Sequence, residues 1–164
     1  MLPNKEKNFL LQQGFLEAGT SCTPRYGALQ FQPRLVGTVF LIGLLTQWWW
    51  LFLLLSASLW VGALKPEKNP FEMLYRKTLG KRPGAEIILP APPPRRFAQG
   101  MAGTFTLLIG CCLLLNRPLW AYLLELLMGA ALFALVFFGF CLGSVVYWAW
   151  KGNLAFAKKT LPWS

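Results

Sequence analysis

Residues 118–140 read PLWAYLLELLMGAALFALVFFGF, with Glu125 as the one charge in the stretch. A helix rises about 1.5 Å per residue, so about twenty apolar residues cross the ~30 Å hydrocarbon layer of a bilayer. This stretch is long enough to do so, and the other segments are placed around it as the anchoring span. The whole chain agrees with that reading. Its 164 residues are 55% hydrophobic and 13% charged, whereas soluble domains carry about 25% charged residues. An all-α membrane protein with one membrane domain is expected.

Upstream, Leu35 to Leu64 carry no charge. A single helix would be about 45 Å long, well beyond the hydrocarbon thickness. The alternative is two helices, Pro33–Gln47 and Trp48–Leu64, turning at Thr46–Trp50. Trp48, Trp49 and Trp50 favour the turn, because indole rings collect at the membrane–water interface. The first helix would then be short, about 22 Å. The second half repeats the order: Arg95 and Arg96 precede Phe97–Leu115, Asn116-Arg117-Pro118 forms a turn, and Trp120 opens the anchoring span. Four transmembrane helices in two helical hairpins, a four-helix bundle, are the expected architecture. The segments are a surface tail (1–34), a first hairpin (35–64), a basic loop (65–96), a second hairpin (97–150) and a C-terminal tail (151–164).

Charge sets the expected orientation. Of 16 Lys and Arg residues, four lie in 1–34, eight in 65–96 and three after Trp150, leaving Arg117 alone in a turn between paired spans. Lys and Arg concentrate on the cytoplasmic side, so both termini and the 65–96 loop are expected there. The same basic residues fit anionic lipid headgroups better than nucleic acid, because they sit between apolar spans. Lys5 and Lys7 before Phe9–Leu11 do not make a signal peptide, since Gln12, Gln13 and Glu17 interrupt the apolar run. Gly19 stands where a lipid-modified Cys22 would want an aliphatic residue.

Within the loop, Asn69-Pro70-Phe71-Glu72 has the spacing of a helix start: Asn as N-cap, Pro at N1, Glu at N3. Gly80 is the expected stop. Phe71, Leu74, Tyr75 and Thr78 form one stripe, with Arg76 and Lys77 off it, as in a short amphipathic helix on the membrane surface. Pro90, Pro92, Pro93 and Pro94 read as a stiff strut leading to the lipid-facing Arg95 and Arg96.

Few residues offer chemistry. Histidine is absent, which removes the commonest general base, metal ligand and haem ligand. No two of Cys22, Cys111, Cys112 and Cys141 form a CxxC, and no metal site is expected. Gly139 and Gly143 make a GxxxG, extended by Gly129, that suits helix packing within the subunit or in a homodimer. Cys141 and Ser144 form CxxS, half of a dithiol motif. Such a cysteine forms mixed disulfides but has no local resolving thiol; its structural alternative is a small buried hydrophobe. Glu125 is an intramembrane acid, costly enough to be a functional candidate, though a hydrogen bond to a hydroxyl such as Tyr122 would make it structural. Eight Trp, 13 Phe and four Tyr suit lipid anchoring and leave room for a pigment or quinone groove. Bound lipid is the expected cofactor-like ligand.

Asn69-Pro70-Phe71, Arg96-Phe97-Ala98-Gln99 and Gly139-Phe140-Cys141-Leu142-Gly143 together resemble the domain of unknown function 4395 family of bacterial membrane proteins. The resemblance covers about residues 30–150 and implies a bacterial inner or internal membrane. The family pattern ends in Cys-x-Gly-Cys; this chain has Cys141 at the first cysteine and Ser144 at the second. Links of some members to thiol and sulfur chemistry imply a redox role as the second choice. The first choice is a non-enzymatic accessory component of a membrane complex, with membrane lipids and other membrane subunits or a second copy as partners. A small transporter using Glu125 ranks third.

Overall fold

The computed structural model describes residues 4–15, 26–79 and 91–153. All described elements are helical: α1 (Asn4–Gln12), α2 (Tyr26–Thr46), α3 (Trp49–Leu64), α4 (Pro70–Thr78), α5 (Pro93–Leu114), α6 (Pro118–Phe133) and α7 (Leu142–Trp150). Three helical stretches are long and apolar enough to cross a membrane: Gly27–Thr46, Pro93–Leu114 and Pro118–Phe138. The chain therefore has the helices of an integral membrane protein. The fourth apolar helix, α3, has 16 residues, about 24 Å at helical rise.

The stretch 35–64 is broken into two helices. Gln47, with φ 53°, and Trp48 separate α2 from α3. The helix before the break is longer than the apolar run alone indicates: α2 reaches back to Tyr26, with Pro33 inside it. Neighbouring helices can compensate for the bond a proline removes. The second turn uses the same backbone device, since Asn116 has φ 52° between α5 and α6. A left-handed turn residue ends each ascending helix, which gives the repeated sequence order a structural counterpart.

The most extensive helix interface joins α3 to α5. The α5 face that meets the interior carries Arg95, Gln99, Gly103, Thr106, Ile109 and Gly110, all buried. Glycines let the backbones approach: a Cβ on Gly103 would lie 2.9 Å from Trp60, and one on Gly110 would lie 2.8 Å from Leu53. Ser56 Oγ donates to the Gly103 carbonyl at 2.7 Å across this seam. Val36, Phe40, Phe52, Leu55, Leu59, Met128 and Leu132 complete the apolar core. The pairings Gly110 with Leu53 and Gly103 with Trp60 make α3 and α5 antiparallel. Both turns therefore lie at one end of the molecule, and α4 with the start of α5 at the other.

Three sequence expectations change here. The GxxxG is not continuous: the anchoring helix runs from Pro118 to Phe138 with a π-helical last turn, Ala134–Phe138, and Gly139 ends it at φ 66°. Gly139 and Gly143 thus lie on either side of a break and form no continuous GxxxG ridge. The start of the chain is not a surface tail, because α1 buries Phe9 and Leu10 to 1% exposure against Leu29 and Leu135. Pro93 and Pro94 open α5 instead of forming a strut, since proline suits the first helical turn, whose N–H groups have no intrahelical partner. Gly80, Cys22 and Pro90 lie outside the described residues.

Candidate functional site

At the end opposite the two turns, side chains from α2, α4 and α5 converge in a buried polar cluster. Gln32 Oε1 on α2 is its hub. It accepts from Arg95 Nη2 at 3.0 Å, from Gln99 Nε2 at 3.0 Å and, more weakly, from Asn69 Nδ2 at 3.5 Å. Arg95 and Gln99 are one helical turn apart on α5, so a single face presents both. Arg95 is 5% exposed, which overturns the expectation that it faces lipid. Its guanidinium lies 5.7 Å from the Phe15 ring centre and 4.0 Å from Glu72 Oε1. Its Nη1 has no hydrogen-bond partner among the described residues.

The sequence around Asn69 acts as expected at one point and not at another. Asn69 Oδ1 caps α4 by accepting from the Phe71 N–H at 3.1 Å. Glu72, however, does not close a capping box; it turns inward beside Arg95 and is 3% exposed. Burial pushes its carboxyl above the ordinary glutamate range, and the pull of Arg95 and Arg76 in the other direction is smaller. α4 accordingly packs Phe71, Glu72 and Tyr75 onto the bundle and leaves Leu74, Arg76 and Lys77 exposed. Arg96 is half-buried and ties α5 to the end of α3: its Nε donates to the Ala63 carbonyl at 2.8 Å.

Gln12 ties α1 to α7. Gln12 Oε1 accepts from the Cys141 N–H at 3.0 Å, and its carbonyl accepts from Trp148 Nε1 at 3.0 Å. Cys141 is the N-cap of α7 and is 4% exposed; Ser144, in the first turn, is fully buried. Gly143 packs against α5 so closely that a Cβ would sit 2.7 Å from that of Ala98. Gly129 faces Phe40, with 3.6 Å to its ring from a built Cβ.

A cavity of about 320 Å³ lies beneath the polar cluster, between α2, α5, α6 and α7. Arg95, Gln32, Gln99 and Cys141 line its polar end, and Val36, Phe105, Met128 and Leu132 line its apolar body.

The other candidates sit at the far end. Glu125 is 3% exposed, and both its oxygens accept from Gln47 Nε2 at 3.2 Å. Its partner is thus the turn residue and not Tyr122, which is 55% exposed. Trp48, Trp49, Trp50 and Trp120 are all exposed around the two turns. Among the described residues no cluster of metal-ligating side chains occurs.

No inward role was expected of Gln32 or Gln12, Gln99 entered only through a family motif, and Glu72 only as a capping residue. The signal for Gln99 was its spacing of four from Arg95. Gln12 was visible only as an interruption of an apolar run, and Gln32 had no distinguishing neighbour.

Residues 27–151 match the family described as "Domain of unknown function (DUF4395)", and the chain belongs to that family. Comparison with curated proteins finds no match, and neither does comparison with solved structures.

Proposed function

We propose that this member of the DUF4395 family is a four-span, non-enzymatic component of a membrane assembly. α2–α3 and α5–α6 form two hairpins, and the π turn, Gly139 and α7 continue the last descent. The short α3 fits a bilayer through its flanking tryptophans and local thinning. Both chain ends and the 65–96 loop face the cytoplasm in this reading, because the described basic residues of the 65–96 loop and Lys151 gather at that end and Arg117 lies at the other. The membrane is a bacterial inner or internal one.

One observation carries the accessory role: several buried or half-buried polar side chains join helices to one another. Gln12 joins α1 to α7, Gln32 joins α2 to α5, and Arg96 joins α5 to α3. Such bonding supports a preorganised scaffold that presents a fixed surface to partner subunits. Cross-linking in intact membranes, followed by purification in mild detergent, tests it. A stoichiometric second membrane subunit is expected; a lone monodisperse chain contradicts it.

A second reading rests on Cys141, which starts α7 within electrostatic range of Arg95. The Cys141 sulfur would lose its proton and attack an incoming disulfide, form a mixed disulfide and release the other half as a thiol. Ser144 could not resolve the product. Activity lost in Cys141→Ser with assembly unchanged would favour this reading over the first.

A further inference from the structure

We infer that the cavity beneath Arg95 is a binding site for a single-chain lipid with an anionic head. The inference needs the helices to lie in a bilayer, but it does not depend on the accessory role. Three independent features of the cavity lead to it.

The first is charge. Arg95 lines the cavity, and its Nη1 is a buried donor without a partner among the described residues. Glu72 does not complete it, because that carboxylate contacts Nη2 at 4.0 Å and also lies within range of Arg76. Among the described residues two cations therefore face this one acid, and an anion entering the polar end would meet a guanidinium N–H without a partner there.

The second is the broken helix. The Cys141 side chain makes no cap hydrogen bond at the start of α7; Gln12 Oε1 takes the Cys141 N–H itself, and the N–H groups of a first helical turn have no intrahelical acceptor. Cys141, Leu142 and Gly143 line the cavity, so this helix start opens onto the same space as Arg95. Irregular backbone at membrane depth occurs where it lines a cavity, and half-helix starts there face anionic groups.

The third is shape. Leu127, Leu142 and Val146 line the cavity yet are 60%, 45% and 40% exposed. The cavity thus opens sideways, beside the break, onto the apolar flank that faces lipid. A ligand arriving from the bilayer can slide in tail and head together. At about 320 Å³ the space is at the small end of ligand pockets, about 300–1,000 Å³, which suits one chain and excludes a two-chain phospholipid.

The test uses the full chain in phosphatidylcholine nanodiscs and a dodecanoate carrying a diazirine at its tail. On irradiation, labelling is expected at Met128 and Leu132 in the cavity wall. Unlabelled dodecanoate or dodecyl phosphate should compete about tenfold better than dodecanol, the worth of one charge-assisted hydrogen bond. Whichever of the two competes better identifies a carboxylate or a phosphate head. Ala131→Phe, which fills the cavity from α6, should abolish the labelling while cooperative unfolding persists. Arg95→Gln should keep the labelling and lose the preference over dodecanol; if that variant does not fold, the wild-type competition and Ala131→Phe decide. Labelling confined to the outer flank, equal competition by dodecanol or a short-chain quinone, or unchanged labelling of Ala131→Phe would each overturn the inference.

Discussion

Replacing Gln32 by Leu should destabilise the protein by about 3 kcal/mol, although the two side chains have similar size. The substitution removes one acceptor and strands three buried donors. The Arg95 bond, at 3.0 Å, is charge-assisted and worth about 1.5–3 kcal/mol. The Gln99 bond is neutral and also 3.0 Å long; such bonds between membrane helices average about 0.6 kcal/mol. The 3.5 Å approach of Asn69 is at the geometric limit and adds little. Most of the loss therefore comes from Arg95. Gln32→Glu keeps the acceptors and adds a charge beside the guanidinium, so it should unfold within about 1 kcal/mol of wild type or later. Reversible unfolding by SDS in mixed micelles gives both values. If Gln32→Leu falls within about 0.5 kcal/mol of wild type, a shift typical of an exposed site, Gln32 is not the hub that holds α2 to α5.

Other consequences can be measured in the same way. Glu72 has its carboxyl raised by burial, so its charged form is disfavoured in the folded state. Stability should fall as pH rises from the ordinary glutamate value of about 4.5 toward the raised one, because the unfolded chain releases the proton first. Glu72→Gln should flatten that slope, and an unchanged pH profile would count against the assignment. Gly143→Val should cost about 1–3 kcal/mol through overpacking against Ala98, read as a lower melting temperature; an unchanged value would mean α7 is free to move off α5. Gln47→Ala keeps a left-handed residue in the turn and removes the bond to Glu125, for an expected loss of about 1–3 kcal/mol in the micelle titration. Cys141, at 4% exposure, should resist maleimide in folded protein and react after denaturation, and rapid native labelling would move weight to the thiol reading.

The sequence made the helices and their turns legible because apolar length, tryptophan clusters and charge segregation are one-dimensional signals. Thr46–Trp50 and Asn116–Pro118 marked both turns for that reason. What it hid was which polar residues face inward. Arg95 and Arg96 are adjacent and look alike in the chain, yet one is buried under Gln32 and the other caps α3. A helix turns about 100° per residue, so neighbours separate, and only the packing of α5 on α3 decides their fates. The glycine seam was likewise sought at Gly139 and Gly143. Gly143 does pack tightly against Ala98, but the close approach to α3 is made by Gly103 and Gly110 on α5, and Gly139 ends the last span in a left-handed turn apart from Gly143. That break has no strong sequence marker, since AALFALVFFGF reads as unbroken helix.

The placement of the basic residues on one face of the bilayer is tested most directly by single cysteines in a cysteine-free background. Lys68, Arg117 and Lys151 are all exposed and belong to separate connections. In sealed right-side-out vesicles, a membrane-impermeant maleimide should label Arg117→Cys at once, and Lys68→Cys and Lys151→Cys only after permeabilisation. Labelling of Lys68→Cys and Lys151→Cys from opposite faces would contradict the paired-hairpin arrangement.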